Sequence, residues 1–553
     1  MFVRIAILFL CSLPLTLPGQ PTTLLDSLEA LKNMIKDVQV GKDNYQQELQ
    51  INKSQPYRID LIITEIDTKG REERMQFAVN LALIDPNLIH YEDGKDQIRV
   101  NLRSASGPVV KVYDNNELDG YDREAYILAF NIDNAREIER ILESVIPLAK
   151  ARWEKDNILP EEFHALSEWV QHRITSVRVD EDQWDQNWST AEDVPTLVTL
   201  RVKDEKGDNY CYRWNLADIH APSIEVDVKG KLVIIEMGIS KRARFIQVEE
   251  NGELDNYENS LALLFAEVDE AQAMGHALRK LVDLAEEEDA SYRPAYEDPA
   301  AAMGALQKNL PGFSIDGEKY AQSITGGCLA TYELTIDDNK GSETLKAIFD
   351  FADLYGPGVE IQVKGKSVSV MAPTVNSADY VYLSEKGEQQ NYDDEVQFLV
   401  SDLPEAKLIQ YQVKQLAEQC SDEIERQDFS WIQTQAEGIH NTMPAFRQQL
   451  DLMEDNACKW SFVQEEEKGK KTEVQRLEFN LYDLDAQRVS LDVKGKTVMV
   501  NTSTLRNEEI IKVYRNNEEL TYTEDLSMLV NDVATGKILA ESLKALISNC
   551  KED

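Results

Sequence analysis

An α+β fold of four tandem repeats is predicted for this chain. Each repeat is expected to be a small antiparallel β-barrel or sheet with an N-terminal helix and a C-terminal capping helix. Three observations predict it. One six-residue stretch is written four times: Val79-Asn80-Leu81-Ala82-Leu83-Ile84, Trp214-Asn215-Leu216-Ala217-Asp218-Ile219, Phe349-Asp350-Phe351-Ala352-Asp353-Leu354 and Phe479-Asn480-Leu481-Tyr482-Asp483-Leu484. The copies start 135, 135 and 130 residues apart, a period that spans a whole small domain and far exceeds a solenoid turn. Two cysteine pairs, Cys328 with Cys420 and Cys458 with Cys550, share a 92-residue spacing at matching places in copies three and four. Between these landmarks, helical and alternating apolar patterns recur in one order.

The expected boundaries are 1–20 for a leader, then 21–150, 151–285, 286–420 and 421–553 for repeats one to four. Each repeat opens on a helix. Apolar residues at helical spacing run through Leu24 to Ile35, Phe163 to Val170 and Ala301 to Leu306; the stretch from Ile432 to Leu450 is less regular. About six or seven short antiparallel strands are expected next. Alternation is plain in Tyr57-Arg58-Ile59-Asp60-Leu61-Ile62 and in Thr196-Leu197-Val198-Thr199-Leu200-Arg201-Val202. Lys-Gly turns punctuate the strands: Lys69-Gly70, Lys206-Gly207, Lys340-Gly341 and Lys468-Gly469, then Lys229-Gly230, Lys364-Gly365 and Lys494-Gly495. Repeat one has Asp93-Gly94-Lys95-Asp96 at the second turn. Glycine supplies the positive φ of a tight hairpin. A tyrosine follows a later turn in each copy, at Tyr121, Tyr257, Tyr392 and Tyr522. An amphipathic helix closes each repeat, with Asp133, Asp269, Asp402 and Asp532 placed to cap it.

The N-terminus has the layout of a secretory signal peptide: Arg4, an apolar run from Ile5 to Cys11, then Ser12 to Gly19, helix-breaking and small. Cleavage is expected near Gly19 and Gln20. Leu10 before Cys11 argues against a lipoprotein signal. An exported destination, periplasmic or extracellular, follows. In that compartment the two cysteine pairs read as one disulfide inside each of repeats three and four. Arg58 and Asp193 stand near the first cysteine position in repeats one and two. Cys211 is then the odd thiol, read as buried and free on a strand, with an intermolecular disulfide as the alternative.

The formal net charge is −42. Such a surface repels nucleic acid and anionic lipid headgroups. It leaves room for weak, distributed cation binding or a cationic partner.

The order of elements resembles the pleckstrin-homology-like superfold, a bent barrel capped by one helix. The strand ending Asn-Leu-x-Asp and the helix pattern are also similar to uncharacterised secreted domains of Bacteroidota. The resemblance implies a compartment and little chemistry. Phosphoinositide-binding members of the superfold need a basic loop between the first strands. Here those turns are mixed, Asp67-Thr68-Lys69-Gly70-Arg71-Glu72 and Asp204-Glu205-Lys206-Gly207-Asp208.

Candidate chemistry is sparse. The recurring carboxylates Asp218, Asp353 and Asp483 are the best single set, as a shared surface contact or as turn residues satisfying backbone N–H groups. Repeat one has Leu83 there. Asn115 to Gly120 matches half of a calcium loop, but Tyr126 stands where a bidentate glutamate is required. The six histidines, His90, His164, His172, His220, His276 and His440, fall in no zinc-ligand spacing. Trp184, Trp188 and Tyr210 to Tyr212 crowd repeat two, as a glycan- or protein-binding surface or as core filling in place of the missing disulfide.

The expected function is therefore a secreted, non-enzymatic, multi-domain binding or scaffold protein whose partners are proteins or glycans. The alternatives are an exported enzyme with its site in the divergent second repeat, or a structural envelope component. No catalytic residue, metal or cofactor is assigned.

Overall fold

The computed structural model describes residues 23–552 apart from 95, 96, 311, 316, 339, 340, 421–423, 454, 455, 470 and 517. The expected leader with Cys11, the turn residues Lys95, Asp96 and Lys340, and Asn517 lie outside the described residues. The chain divides into two compact units, Met1–Tyr292 and Arg293–Asp553. Each unit holds two repeats.

Repeat one sets the pattern. Helix α1 (Leu24–Met34) starts at Thr23, whose side chain accepts from Asp26 N–H. Strands β1 (Val38–Val40), β2 (Asp43–Ile51), β3 (Arg58–Ile66) and β4 (Glu72–Asn80) follow. After two short 3-10 turns come β5 (His90–Asp93), β6 (Ile98–Arg103), β7 (Val110–Asp114), β8 (Glu117–Asp122), β9 (Glu124–Ala129) and helix α2 (Ile132–Asp156). The strands form two antiparallel sheets, six-stranded in the order β1-β2-β3-β4-β7-β8 and three-stranded in the order β5-β6-β9. Repeats two and three repeat this layout, and the described strands of repeat four give sheets of five and three. The tandem α+β architecture is thus present, with more strands per repeat than the six or seven expected. The surplus comes from very short segments such as β1 and β5, too brief for an alternation signal.

Two devices join the sheets. The first is the repeated hexapeptide. Its first polar residue ends a strand and caps a 3-10 turn: the side chains of Asn80, Asn215, Asp350 and Asn480 accept from the N–H two residues on at 2.9–3.0 Å. The next residue, Leu81, Leu216, Phe351 or Leu481, is wholly buried. Emptying such a site costs about 2–5 kcal/mol. The second device is a glutamine on the second strand of repeats one to three and on the first described strand of repeat four. Gln47, Gln186 and Gln448 each exchange two hydrogen bonds with the backbone of the last strand, at Leu128, Leu264 and Leu529. Gln322 donates to Leu399 C=O at 2.9 Å. A side-chain amide thus does the work of a missing ladder rung between the large sheet and the edge of the small one.

Helix α3 (Phe163–Gln171) opens repeat two, and α4 (Val268–Ser291) closes it. In the second unit α5 (Pro299–Lys308) and α6 (Leu403–Gln419) bracket repeat three, and α7 (Phe429–Gly438) and α8 (Val533–Glu552) bracket repeat four. The fourth opening helix is shorter than its apolar pattern implies. Leu450 lies on the strand Phe446–Met453, because Pro444 cannot continue a helix. The boundaries expected at 150 and 285 fall inside α2 and α4, whereas 420 falls just past the end of α6.

The caps match the expected aspartates only in the second unit, at Asp402 and Asp532. Asn131 caps α2. In α4 the N-cap residue is Glu267, with no side-chain cap bond. Asp133 and Asp269 lie inside the first turn instead, Asp133 exposed and Asp269 buried.

The disulfides Cys328–Cys420 and Cys458–Cys550 tie the closing helix to the strand before the hexapeptide strand, with Cα–Cα distances of 5.6 and 5.8 Å. Strand register puts Tyr57 and Thr196 at the first cysteine position in the other repeats, since Leu81, Leu216 and Phe351 donate to the carbonyls of Tyr57, Thr196 and Cys328. Arg58 and Asp193 are therefore displaced from it, by one and three residues. Tyr57 is buried. In repeat two a polar clasp replaces the bridge: buried Asp289, one turn beyond the equivalent helix position, accepts from Asn215 Nδ2 at 2.6 Å and Thr196 Oγ1 at 3.2 Å.

Candidate binding surfaces

Within the first unit, one hydrophobic core runs through both repeats without a break. The polar rim of this junction is built at the C-terminal end of the repeat-one hexapeptide strand, around the buried Asn80. Arg58 and Asn80 are paired across the β3–β4 ladder, and Lys111 and Tyr121 across β7–β8. All four side chains grip the first turn of α4. Arg58 donates to Asp269 at 2.6 Å, and Asn80 Nδ2 donates to the same carboxylate at 3.1 Å. Lys111 pairs with Glu267 at 2.7 Å, and Tyr121 O–H donates to Ala266 C=O at 2.8 Å. Burial alone would lower the Arg58 guanidinium, but the charge and hydrogen bond of Asp269 outweigh it and hold it above its ordinary value. Glu267 does the same for Lys111 against its burial. Burial raises the Tyr121 phenol.

The second unit is joined by the same surfaces. Tyr392, the counterpart of Tyr121, sits in the repeat-four core with Tyr380 and Tyr382 beside it. Its N–H donates to Gly495 C=O in the Lys-Gly hairpin at 2.9 Å, and Gln389 donates to Lys496 C=O at 3.2 Å. Burial pushes the Tyr392 phenol up to about 12, with the Asp532 charge adding to it. Lys537, on α8, pairs with Asp353 of the repeat-three hexapeptide and lies over the Tyr380 ring at 5.7 Å.

Of the three recurring carboxylates, Asp353 is thus buried in a junction between repeats. Asp218 and Asp483 occupy the same final position of their 3-10 turns and stay partly exposed. Burial raises Asp483, and Glu508 adds to the effect. Within the second unit, Asp353 and Asp483 have different surroundings. The turn N–H groups are met instead by the residue that opens each 3-10 turn. The junction residues and the bridging glutamines escaped the sequence reading. Gln-x-apolar at Gln47, Gln186, Gln322 and Gln448 was the available signal for the latter.

Two grooves remain. One, of about 420 Å³ in repeat two, is lined by Asp185, Asn187, Arg201, Tyr210, Cys211 and Glu249. Cys211 is free and partly exposed on the strand Asn209–Asn215, where the sequence led us to expect a buried thiol. Burial pushes its thiol up against the opposing pull of Arg213, the reverse of what an activated nucleophile requires. Arg213 is engaged by Glu249 at 2.6 Å. Trp188, read as a candidate surface aromatic, is buried edge-to-face on Trp214 at 5.2 Å. Tyr210 and Tyr212 stack along one face of the strand.

The other groove, of about 290 Å³ in repeat three, is lined by Tyr332, Lys346, Glu385, Asp393, Glu395 and Gln397. Burial raises both Asp393 and Glu395. Asn115 and Asn116, in the half-matching calcium loop, form the left-handed turn of the β7–β8 hairpin, with φ of 48° and 71°. Among the described residues no three His, Cys, Asp or Glu side chains gather as metal ligands, and no helix is long and apolar enough to cross a membrane.

Comparison with known proteins returned no matching family model and no matching curated protein.

Proposed function

We propose that this chain is an exported, non-enzymatic binding or scaffold protein whose working unit is a pair of repeats. One observation carries the reading. The polar positions that recur in all four copies, the hexapeptide Asn or Asp and the bridging Gln, are engaged in holding sheets together. What differs between copies is the surface around them, and repeated frames with divergent faces suit multivalent contact. The disulfides support an oxidising destination. The two-sheet layout with a closing helix supports a distant pleckstrin-homology-like relationship, with an extra opening helix. The acidic surface favours proteins or glycans over nucleic acid and anionic membranes.

The test is affinity capture from envelope and extracellular fractions with cross-linking, run beside turnover assays on ester, peptide, phosphate and glycoside substrates. Saturable capture of a defined partner is expected. Turnover abolished by a change confined to one groove would overturn the proposal.

A further inference from the structure

Repeat three lacks a plug that the other repeats carry. Two residues before each hexapeptide, the strand ladder pairs Phe77 with Leu61, Tyr212 with Leu200 and Leu477 with Phe462. In repeat three the pair is Ala347 with Tyr332, the smallest of the four in side-chain volume. Tyr332 does not refill the space. Its ring packs edge-to-face on Phe398 at 5.1 Å, and its O–H donates to Gln322 Oε1. A second plug is missing beside it. In repeat one Tyr126, two residues before the bridged Leu128, packs edge-to-face on Phe77 at 5.2 Å. The same place in repeat three holds the exposed Gln397. The groove of about 290 Å³ opens between Ala347 and Gln397.

Its floor and rim differ in chemistry. The floor is apolar: Leu334 and Ala347 are buried, and Leu345 stays 37% exposed. The rim carries Glu385, Asp393 and Glu395 against one cation, Lys346. Lys346 is engaged by Glu333 at 3.8 Å, and Lys386 by Glu343 at 3.4 Å and Glu385 at 3.6 Å. Asp393 accepts from Asp394 N–H at 2.8 Å, yet burial still raises it and the Asp394 carboxylate adds to the rise. Burial also raises Glu395, followed by the charges of Asp393 and Asp394, and Lys364 opposes them too weakly to win. An apolar floor under an unbalanced anionic rim selects a ligand with an apolar body and a positive end.

We propose that the repeat-three groove binds a small free alkylamine in its ammonium form. Its chain lies on Leu334, Leu345, Ala347 and Leu383, and its charge meets Asp393 and Glu395. The site needs no macromolecular partner, so its failure would leave the scaffold reading as it stands.

Isothermal titration calorimetry of the disulfide-intact protein with hexylammonium tests this. One saturable site is expected, with a Kd of about 1 mM or tighter. Methylammonium, which has the charge without the chain, and hexanoate, which has the chain with the opposite charge, should each bind at least about tenfold more weakly. The same comparison separates a built site from diffuse attraction to an acidic surface. Ala347→Leu installs the side chain that repeat four carries at Leu477 and should abolish binding. Asp393→Asn with Glu395→Gln should weaken it at least about tenfold, with the fold intact by circular dichroism. Hexylammonium should also bind more tightly than lysine blocked at both ends; the reverse order would overturn the assignment to a free amine in favour of a protein side chain. No saturable binding up to about 20 mM, equal binding of hexanoate, or indifference to both sets of substitutions would overturn the site.

Discussion

Lys537 and Asp353 join repeats three and four with the charges of the repeat-one/repeat-two junction exchanged. In the first unit the cation, Arg58, lies on the strand and the anion, Asp269, on the closing helix. In the second the anion lies in the hexapeptide and the cation on the helix. Both members of the second pair are largely covered, with side-chain exposures of 14% and 6%. Removing one member of such a pair leaves a charge in a poor dielectric. Lys537→Met should therefore lower the stability of the second unit by about 2–4 kcal/mol. Lys537→Asp combined with Asp353→Lys should recover most of it. Urea melts of the single and double variants decide the matter; singles costing under about 0.5 kcal/mol would mean the pair behaves as a surface contact.

The covalent bridges should make the two units respond differently to reductant. Each disulfide closes a loop with a sequence separation of 92. In the chain-entropy account a closure of that length contributes about 4–5 kcal/mol. With dithiothreitol the calorimetric transition of the second unit should fall by many degrees and that of the first should stay. A parallel drop in both would show that the bridges do not act locally.

The sheet-bridging glutamine should be intolerant of an apolar isostere. Gln448→Leu leaves the buried N–H and C=O of Leu529 without their partners. Losing both bonds should cost about 2–6 kcal/mol, since each unmet buried group costs about 1–3 kcal/mol. Hydrogen exchange should locate the loss at Leu529. Unchanged protection there would exclude the bridging role.

Cys211 should be the accessible thiol in the native protein, and a slow one. Its thiol lies above the ordinary value because burial penalises the thiolate. At neutral pH it is therefore protonated, and alkylation by iodoacetamide should speed up roughly tenfold per pH unit until the pH passes its raised pKa. A rate already at its plateau at pH 8 would reveal an activated thiolate and revive an enzymatic reading of repeat two.

How far the sequence could be read follows from what repeats in it. The hexapeptide recurs because a strand must end at one place and plug the core with Leu81, Leu216, Phe351 or Leu481. The equal cysteine spacing recurs because two of the frames carry the same staple. The bridging glutamines obey the same structural demand, yet loop length differences shift their spacing to 139, 136 and 126 residues, so no fixed period marks the short Gln-x-apolar signal. The junctions are harder still. Arg58 and Asp269 are 211 residues apart, and their counterparts reverse sign, so no period connects them. The aspartates at 218, 353 and 483 caught the eye because they align, but shared register here does not mean shared surroundings.

The exchange of charge has a consequence for synthesis. Four similar domains on one chain invite misassembly, in which a repeat docks on the wrong neighbour. If repeat three met α4, Asp269 would face the apolar Leu329 that stands at the Arg58 position. If repeat one met α8, Lys537 would find Leu83 in place of Asp353. Each of these two wrong dockings buries a charge with no opposite, which disfavours it. The sign reversal therefore disfavours an exchange of partners between repeats one and three.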